Sequence, residues 1–370
     1  MTVDYLELYK IPQTKYSLER IRLPEVRIVN GREFPAAFQL NLNGEEYDNS
    51  KVHELLKKFS ESGTFTKLIE DHGAVVLRDL VESSDDSKAG EIADLIKTVE
   101  SNRGHVEFPQ NGTLTTRTRV GHNLYTANKK ASPDSRLLQH NEYSRFKKFP
   151  VTLVFTILDY TAEGGETPLV HGAELYNYAI KELPNFVEKL SKEGLAFRRD
   201  FWPKIATKER PALWNHEVTF GRNIKPEDSL EVQKQKVEEI AKEYISDNFQ
   251  WTPEDDLIID SYAKAVKAFK GEPLIFSSIP AFASRYDPKD PSITFGNGDK
   301  FDFEDLTKFL SITDKLEYKH NWKSGDIAFI HNYQVSHGKL PFRGGKRSTE
   351  VGMWDEAQPN RSLQFVDYVV

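Results

Sequence analysis

The feature that most constrains the fold of this chain is a series of short apolar runs, which begins after residue 105 and continues almost to the C-terminus. Most of these runs have the length of a buried β-strand and are too short for a buried helix. They are VTLVFTILDY (151–160), PLIFSS (273–278), SITFGN (292–297), DIAFIHNY (326–333) and STEVGMWD (348–355). Helical patterns interrupt them at about 172–194, 225–246 and 253–269. Because strands and helices do not alternate regularly, we predict a mainly β chain with helical insertions, built as an antiparallel sandwich or jelly roll.

Helical patterns dominate the first hundred residues instead. Apolar residues from Val52 to Phe59 recur at the spacing of one helix face, and Asn49 precedes them at a position that could cap the helix. The segment GAVVLRDL (73–80) predicts a short buried strand. No repeat and no long linker rich in Pro, Gly or Ser divides the chain. We therefore expect one domain over residues 1–370, in which a mostly helical N-terminal part (1–104) packs on a jelly-roll core (105–370).

Composition narrows the classes of partner. The net charge of −7 is not that of a nucleic-acid-binding protein, which usually carries a basic surface. The chain has no cysteine, so disulfides, thiolate zinc sites and cysteine nucleophiles are excluded. Neither an apolar segment long enough to cross a membrane nor a secretory signal is visible. We expect a cytoplasmic protein with a small-molecule partner, and the sequence does not indicate its oligomeric state.

His140 and Glu142 are candidate metal ligands. They lie two residues apart, so their side chains leave the same face of an extended segment, and the apolar run 151–160 follows them. His105 and Glu107 have the same spacing, but a polar, turn-like stretch follows them, and a solvated pair is the ordinary interpretation. His337, after the run 326–333, offers a second imidazole. Two imidazoles and one carboxylate leave three positions of an octahedral metal open, which is the arrangement in non-haem Fe(II) oxygenases.

Arg347 and Thr167 are candidates for holding a second ligand. A 2-oxo acid such as 2-oxoglutarate chelates iron through its carboxylate and keto oxygens and leaves one position for O2. Its distal carboxylate then needs a fixed cation, for which an arginine is well suited. Arg347 lies ten residues after His337, so we expect a hairpin to return it beside the metal. Thr167, next to the Gly164-Gly165 turn, offers a hydroxyl to the same carboxylate.

These motifs resemble those of the TauD/TfdA family of Fe(II)/2-oxoglutarate oxygenases, and most closely its clavaminate synthase-like branch. The resemblance covers much of the chain and rests on FPAAFQLNLN, HGAVVLRDL, GHNLYTAN, LLQHNEYSRFKKFP, GGETPLV and NYQVSHGKLPFRGGKR. It implies a double-stranded β-helix with iron held by His140, Glu142 and His337, and with 2-oxoglutarate held by Arg347 and Thr167. Hydroxylation of a small molecule is the implied reaction, with desaturation or cyclisation as variants. Halogenases of this type lack the carboxylate ligand, so Glu142 argues against that chemistry.

The substrate is less well defined than the metal ligands. The resemblance places GHNLYTAN on the substrate side, which makes Asn123 and Tyr125 candidates. Arg199 is a further candidate for an anionic substrate, although Arg198 and Arg199 are adjacent and a solvated role is the ordinary interpretation. The family often has Asp-Asn where this chain has His331-Asn332, and the charged insertion at 222–250 has no assigned role. A metal-binding jelly roll of cupin type, which binds a ligand without oxidising it, remains the alternative.

Overall fold

The structure is a computed structural model that describes residues 8–10 (backbone only), 15–113, 117–127, 132–284, 286–357 and 364–370. Its strands are β1 (Leu8–Lys10), β2 (Ser17–Ile21), β3 (Arg27–Val29), β4 (Arg32–Phe34), β5 (Ala36–Asn41), β6 (Ala74–Arg78), β7 (His105–Glu107), β8 (Arg119–Gly121), β9 (Leu124–Thr126), β10 (Leu137–His140), β11 (Thr152–Tyr160), β12 (Glu163–Gly164), β13 (Thr167–His171), β14 (Leu195–Trp202), β15 (Phe249–Trp251), β16 (Leu257–Ala263), β17 (Val266–Phe269), β18 (Glu272–Ile275), β19 (Ile293–Phe295), β20 (Tyr318–His320), β21 (Ile327–His331), β22 (Val335–Lys339), β23 (Phe342–Arg343), β24 (Arg347–Glu356) and β25 (Phe365–Asp367). Its α-helices are α1 (Asn49–Glu61), α2 (Thr64–His72), α3 (Ala89–Asn102), α4 (Gly172–Glu182), α5 (Pro184–Glu193), α6 (Leu230–Tyr244), α7 (Ile279–Ala283) and α8 (Phe303–Lys315).

Two β-sheets that face each other form the core. The larger sheet has the order β1-β2-β5-β6-β21-β11-β24-β9-β8, and β7 pairs with the far end of β24. The smaller sheet has the order β10-β22-β13-β20, with every pair antiparallel. Leu153 and Met353 of the larger sheet and Leu169 and Val335 of the smaller sheet belong to one buried apolar cluster. This is a jelly roll, so the predicted mainly β fold with helical insertions is confirmed.

Helices α1, α2 and α3 cover the outer face of the larger sheet. Leu55 of α1 and Ile92 of α3 share an apolar cluster with Val154 of β11 and Phe329 of β21. The helical periodicity of these segments is therefore the face that packs on the sheet. The N-cap of α1 is Asp48 rather than the expected Asn49, because Asp48 has an extended backbone and its carboxylate accepts a hydrogen bond from the Ser50 amide at 2.9 Å.

The N-terminal part also contributes strands to the core, which corrects the expectation of a mostly helical layer. β2, β5 and β6 lie within the larger sheet. β6 pairs with β21, although about 250 residues separate the two strands in the sequence. The sequence predicts only β6 of these three, because the others are short and their pairing partners are distant. Since this pairing joins the two parts on either side of residue 104, we propose that residues 1–370 fold as one domain.

The prediction of a helix at 253–269 is wrong. This segment forms β16 and β17, joined by a short connection, and β16 pairs with β14 and β15. Alternate side chains along the first half of β16 are buried, which is the period of a strand. Helix α8, capped by Asp302, is absent from the sequence prediction.

The charged insertion at 222–250 contains α6, as expected. One face of this helix is buried against its own apolar cluster, which contains Val237, Ile240, Trp202 and Trp214. The opposite face carries the charged side chains. Among the described residues, the longest helices fall short of the length and apolar character that a membrane crossing requires.

Candidate metal and cosubstrate site

The smaller sheet places His140 and His337 opposite each other on neighbouring strands. They are directly opposed in the register of β10 and β22, and their ring centroids are 4.3 Å apart. Glu142 lies just beyond the end of β10. Its Oε2 is 3.5 Å from His140 Nε2 and 3.6 Å from His337 Nε2. These three residues, hereafter the metal triad, are the one group of this kind found among the described residues.

Backbone hydrogen bonds fix the position of Glu142. Asn332, in the turn between β21 and β22, accepts a hydrogen bond from the Glu142 amide at 2.9 Å. The same Asn332 side chain donates to the carbonyls of Glu142 at 3.0 Å and Pro150 at 2.9 Å. Asn332, which follows His331 in the sequence, therefore acts as a positioning residue for the triad. His331 itself is buried against Phe269.

Two members of the metal triad have pKa values that suit metal ligands. Burial would raise the pKa of Glu142, but the nearby His140 and the charge of Arg117 lower that pKa to about 2. Burial lowers the pKa of His337 to about 3. His140 donates from Nδ1 to the Leu138 carbonyl at 3.0 Å, which leaves the lone pair of Nε2 directed at the triad. Since metal binding needs neutral imidazoles and an ionised carboxylate, the donor set fits Fe(II).

A cavity of about 350 Å³ extends from the metal triad between the two sheets. Thr167 and Arg347, hereafter the cosubstrate pair, lie in its wall, together with Phe155, Val351 and Lys339. Arg347 does not arrive by the expected hairpin. β22 and β24 belong to opposite sheets, so Arg347 enters the cavity from the sheet facing His337.

Arg347 is a half-buried cation with no carboxylate in ion-pair contact among the described residues. Its Nε donates to the Gly165 carbonyl at 2.7 Å, and its Nη2 donates to Thr167 Oγ1 at 3.5 Å. Burial lowers its pKa to about 10. Trp322 Nε1 also donates to Thr167 Oγ1, at 3.0 Å. Because that oxygen already accepts two hydrogen bonds, the hydroxyl proton of Thr167 is available to a ligand. The pair therefore offers a cation and a donor to an anion.

Lys339 is a site residue that the sequence prediction missed. It lies two residues after His337 on β22, so its side chain leaves the same face and reaches the same cavity. Lys339 is buried, and its ammonium donates to the Ser132 carbonyl at 3.1 Å. Burial and the nearby charge of Arg347 lower its pKa. Its two-residue spacing from His337 could have identified Lys339 in the sequence.

The candidate substrate residues divide into two groups. Asn123 and Tyr125 line a second cavity of about 390 Å³, which shares Arg117 with the first. Asn123 is buried and donates to the Met353 carbonyl at 2.7 Å. Arg199, in contrast, is not brought to either cavity. It is exposed on β14 and makes a two-point ion pair with Asp260, because its strand belongs to a separate sheet.

Two further residues lie away from the metal triad. His105, from the second His-x-Glu triplet, is 2.6 Å from Glu100 and is buried on the other side of the larger sheet. Trp354 belongs to the cluster under the helices. It is three residues from Val351, so the alternation of β24 turns it to the opposite face.

The chain was compared with known families, curated proteins and solved structures. The family described as taurine catabolism dioxygenase TauD, TfdA family matches residues 37–354, a range that contains the metal triad and the cosubstrate pair. A clavaminate synthase-like protein from Arabidopsis thaliana is 26% identical over 294 residues, which cover 76% of this chain and 81% of that protein. PvcB from Pseudomonas aeruginosa aligns with a TM-score of 0.49 and 13% identity over 97% of this chain and 96% of its own. A taurine dioxygenase from Burkholderia xenovorans aligns with a TM-score of 0.47 and 11% identity over 95% and 94%.

Proposed function

This chain belongs to the TauD, TfdA family of dioxygenases, and from that premise we propose which of its residues carry the reaction. It is an Fe(II)- and 2-oxoglutarate-dependent dioxygenase, which uses O2 and releases succinate and CO2. The observation that supports the assignment of residues is a single cavity with two kinds of chemistry in its wall. The metal triad and the half-buried cation Arg347 both line this cavity.

The metal triad holds Fe(II) in this proposal. Three protein ligands leave three positions open, which suit two oxygens of 2-oxoglutarate and one O2 molecule. When bound, Fe(II) supplies the redox chemistry that couples the oxidation of 2-oxoglutarate to that of the substrate. Glu142 is ionised at neutral pH and compensates part of the metal charge. Asn332 holds its backbone, so the carboxylate needs little rearrangement to bind the metal.

The cosubstrate pair holds the distal carboxylate of 2-oxoglutarate. Arg347 contributes the charge, and Thr167 donates its hydroxyl proton to the same group. Phe155 and Val351 line the same cavity, and their apolar side chains would exclude water from the bound cosubstrate. The half-buried Arg347 and the buried Lys339 lack a carboxylate ion pair among the described residues, which favours a dianionic ligand over a neutral one.

The substrate is a small molecule that enters through the second cavity, beside Asn123 and Tyr125. Hydroxylation is the expected outcome, with desaturation and cyclisation as variants of the same oxidation. A jelly roll that binds a metal and a ligand without oxidising it is not favoured, because the family is one of dioxygenases. The cytoplasmic location expected from the sequence stays a proposal, which fractionation of producing cells would test.

The test is a metabolite screen for substrate-dependent conversion of 2-oxoglutarate to succinate, under air, with Fe(II) and ascorbate. The wild-type protein should convert 2-oxoglutarate faster with its substrate than without, and the product should carry the oxidation. Binding of 2-oxoglutarate to the Mn(II)-loaded protein provides a readout that does not depend on turnover. A protein that binds neither Mn(II) nor 2-oxoglutarate would contradict the proposal.

A further inference from the structure

Arg117 lies where the metal cavity meets two other cavities. It lines the cavity of the metal triad, the cavity of Asn123 and Tyr125, and a third of about 220 Å³ beside Tyr143. Its Nη2 is 3.5 Å from Oε1 of Glu142, whereas the two histidines face Oε2 of the same carboxylate. A ligand that binds Arg117 from the second cavity would therefore lie close to Glu142 of the metal triad.

The surroundings of Arg117 contain buried donors that lack acceptors. Arg117 donates from Nη1 to Gln110 Oε1 at 3.0 Å. Because an arginine only donates, Gln110 must present its oxygen there and turn its NH2 group elsewhere. Both Gln110 Nε2 and Arg117 Nε are buried, and neither finds an acceptor among the described residues. Two donors in the wall of the same cavity thus have unused hydrogen-bonding capacity.

The neighbouring pair repeats this arrangement. Arg222 donates to Oδ1 of Asn111, and Nδ2 of Asn111 is buried without an acceptor in the described part of the chain. The carboxylates near this cavity do not supply the missing acceptors. Glu107 is 2.7 Å from His122, and Glu217 is exposed at the rim. Since buried donors are normally paired, these unpaired donors favour a ligand that brings acceptors and negative charge.

We propose that Arg117 and Gln110 form an anion-binding subsite for the substrate, and that the substrate is a small-molecule carboxylate. This inference rests on the proposed function. The Nε and Nη2 groups along one edge of a guanidinium match the two oxygens of a carboxylate. Phe108 and Tyr125 line the same cavity and would contact the rest of the molecule. The oxidised carbon is then close to the carboxylate, because Arg117 adjoins Glu142.

The first experiment compares charge at constant shape. Carboxylic acids of about three to ten carbons, each paired with its primary amide, are titrated calorimetrically into protein loaded with Mn(II) and 2-oxoglutarate. At least one acid should bind roughly 30-fold more tightly than its amide, as expected for an arginine that pairs with a desolvated charge. If no acid binds more tightly than its amide, the proposal is overturned. If Mn(II) and 2-oxoglutarate themselves fail to bind, the proposed function fails instead.

The second experiment identifies the residue. For the acid that binds best, Arg117→Gln should weaken binding about 30-fold, and Arg117→Lys should restore part of the loss. Arg198→Gln is the control, because Arg198 is exposed, already pairs with Asp290 and lines none of the three cavities. The affinity for 2-oxoglutarate is measured for every variant. A loss confined to 2-oxoglutarate in Arg117→Gln, or an equal loss of acid binding in Arg198→Gln, would overturn the assignment.

Discussion

At the scale of single residues, the metal cavity separates two kinds of ligand chemistry. One part of its wall presents two imidazoles and an ionised carboxylate, which attract a cation. Another part presents Arg347, whose Nε and Nη2 already donate to Gly165 and Thr167 while its charge has no carboxylate partner in the described structure. A ligand that chelates a metal with one end and carries a carboxylate at the other satisfies both.

The position of the metal triad predicts that substitutions of His140 and of His105 affect metal binding differently. His140→Ala should abolish tight binding of Fe(II) or Mn(II) and all turnover, because it removes one of three protein ligands. His105→Ala should keep the metal, since His105 lies against Glu100 on the far side of the larger sheet. Metal content of the purified, folded variants measures the difference. Metal retained by His140→Ala and lost by His105→Ala would show that the other triplet is the ligand.

Arg347 predicts a specific loss of cosubstrate binding. Arg347→Gln leaves the distal carboxylate of 2-oxoglutarate without its cation, which should cost about 2–5 kcal/mol of binding free energy. That loss corresponds to a rise of roughly 30-fold or more in the dissociation constant. Arg343→Gln is the matched control, because Arg343 is four residues away, exposed and paired with Glu163. Equal affinities in the wild type and Arg347→Gln, measured by titration calorimetry with Mn(II), would contradict the assignment.

At the scale of elements, the turn between β12 and β13 determines how closely Arg347 approaches. Gly165 has a φ of +81°, and a Cβ there would lie 2.8 Å from Arg347 Cδ. The turn therefore requires glycine for two reasons, its backbone conformation and the space that Arg347 occupies. The position of this cation depends on a loop from one sheet and a strand from the other.

This geometry predicts that Gly165→Ala weakens 2-oxoglutarate binding by roughly tenfold or more, because the methyl group displaces the arginine. Gly344→Ala is the control for backbone strain alone. Gly344 also has a positive φ, of +59°, but a Cβ there would meet no atom within 4 Å. Both variants should lose some stability to that strain, about 1–2 kcal/mol. Equal 2-oxoglutarate affinities in the two variants would show that the contact with Arg347 is unimportant.

At the scale of the whole molecule, one buried ion pair joins the N-terminal part to the jelly-roll core. Arg78 of β6 makes two hydrogen bonds of 2.7 Å to Asp326, which precedes β21. His320 Nε2 lies 3.2 Å from the same carboxylate, and the Lys323 amide donates to it at 3.0 Å. Asp326 is fully buried, so its ionised form depends on these partners.

The ion pair predicts a defined pH dependence. Burial would raise the pKa of Asp326, yet hydrogen bonds from Arg78 and His320 lower it. A lowered pKa in the folded state stabilises the protein above the unfolded pKa of about 3.9, and this contribution is lost as the pH falls further. Asp326→Asn should therefore lower the free energy of unfolding by about 3–5 kcal/mol near neutral pH. The difference from the wild type should shrink below about pH 4.

Urea unfolding of both proteins across this pH range measures the difference. Asp314→Asn is the control, because Asp314 is exposed and pairs with Arg136 at the surface. It should change the free energy of unfolding by no more than about 0.5 kcal/mol. A wild-type advantage over Asp326→Asn that stays constant from neutral to acid pH would contradict the role of the ionised carboxylate.

The sequence by itself determined the features that depend on local spacing and residue chemistry. The strand at 151–160 follows from the length of its apolar run, and the helix face from Val52 to Phe59 follows from its periodicity. The two-residue spacing of His140 and Glu142 keeps them close together, although Glu142 lies in the turn after β10 and not, as expected for a pair on one extended segment, on the strand. His337 and Arg347 required the order of motifs along the chain as well, because their type and sequence separation suit a known kind of site.

Only the tertiary structure decided which surfaces meet. β22 and β24 are separated by a few residues yet belong to opposite sheets, so Arg347 approaches the metal triad across the cavity. Arg117 reaches Glu142, whereas Arg199 points to solvent and Trp354 packs under the helices. These outcomes depend on strand pairing between distant segments and on which face of each strand the opposite sheet covers. Local spacing predicts neither the strand pairing nor the covered face, because the free energy of pairing comes from contacts that form only when the whole core assembles.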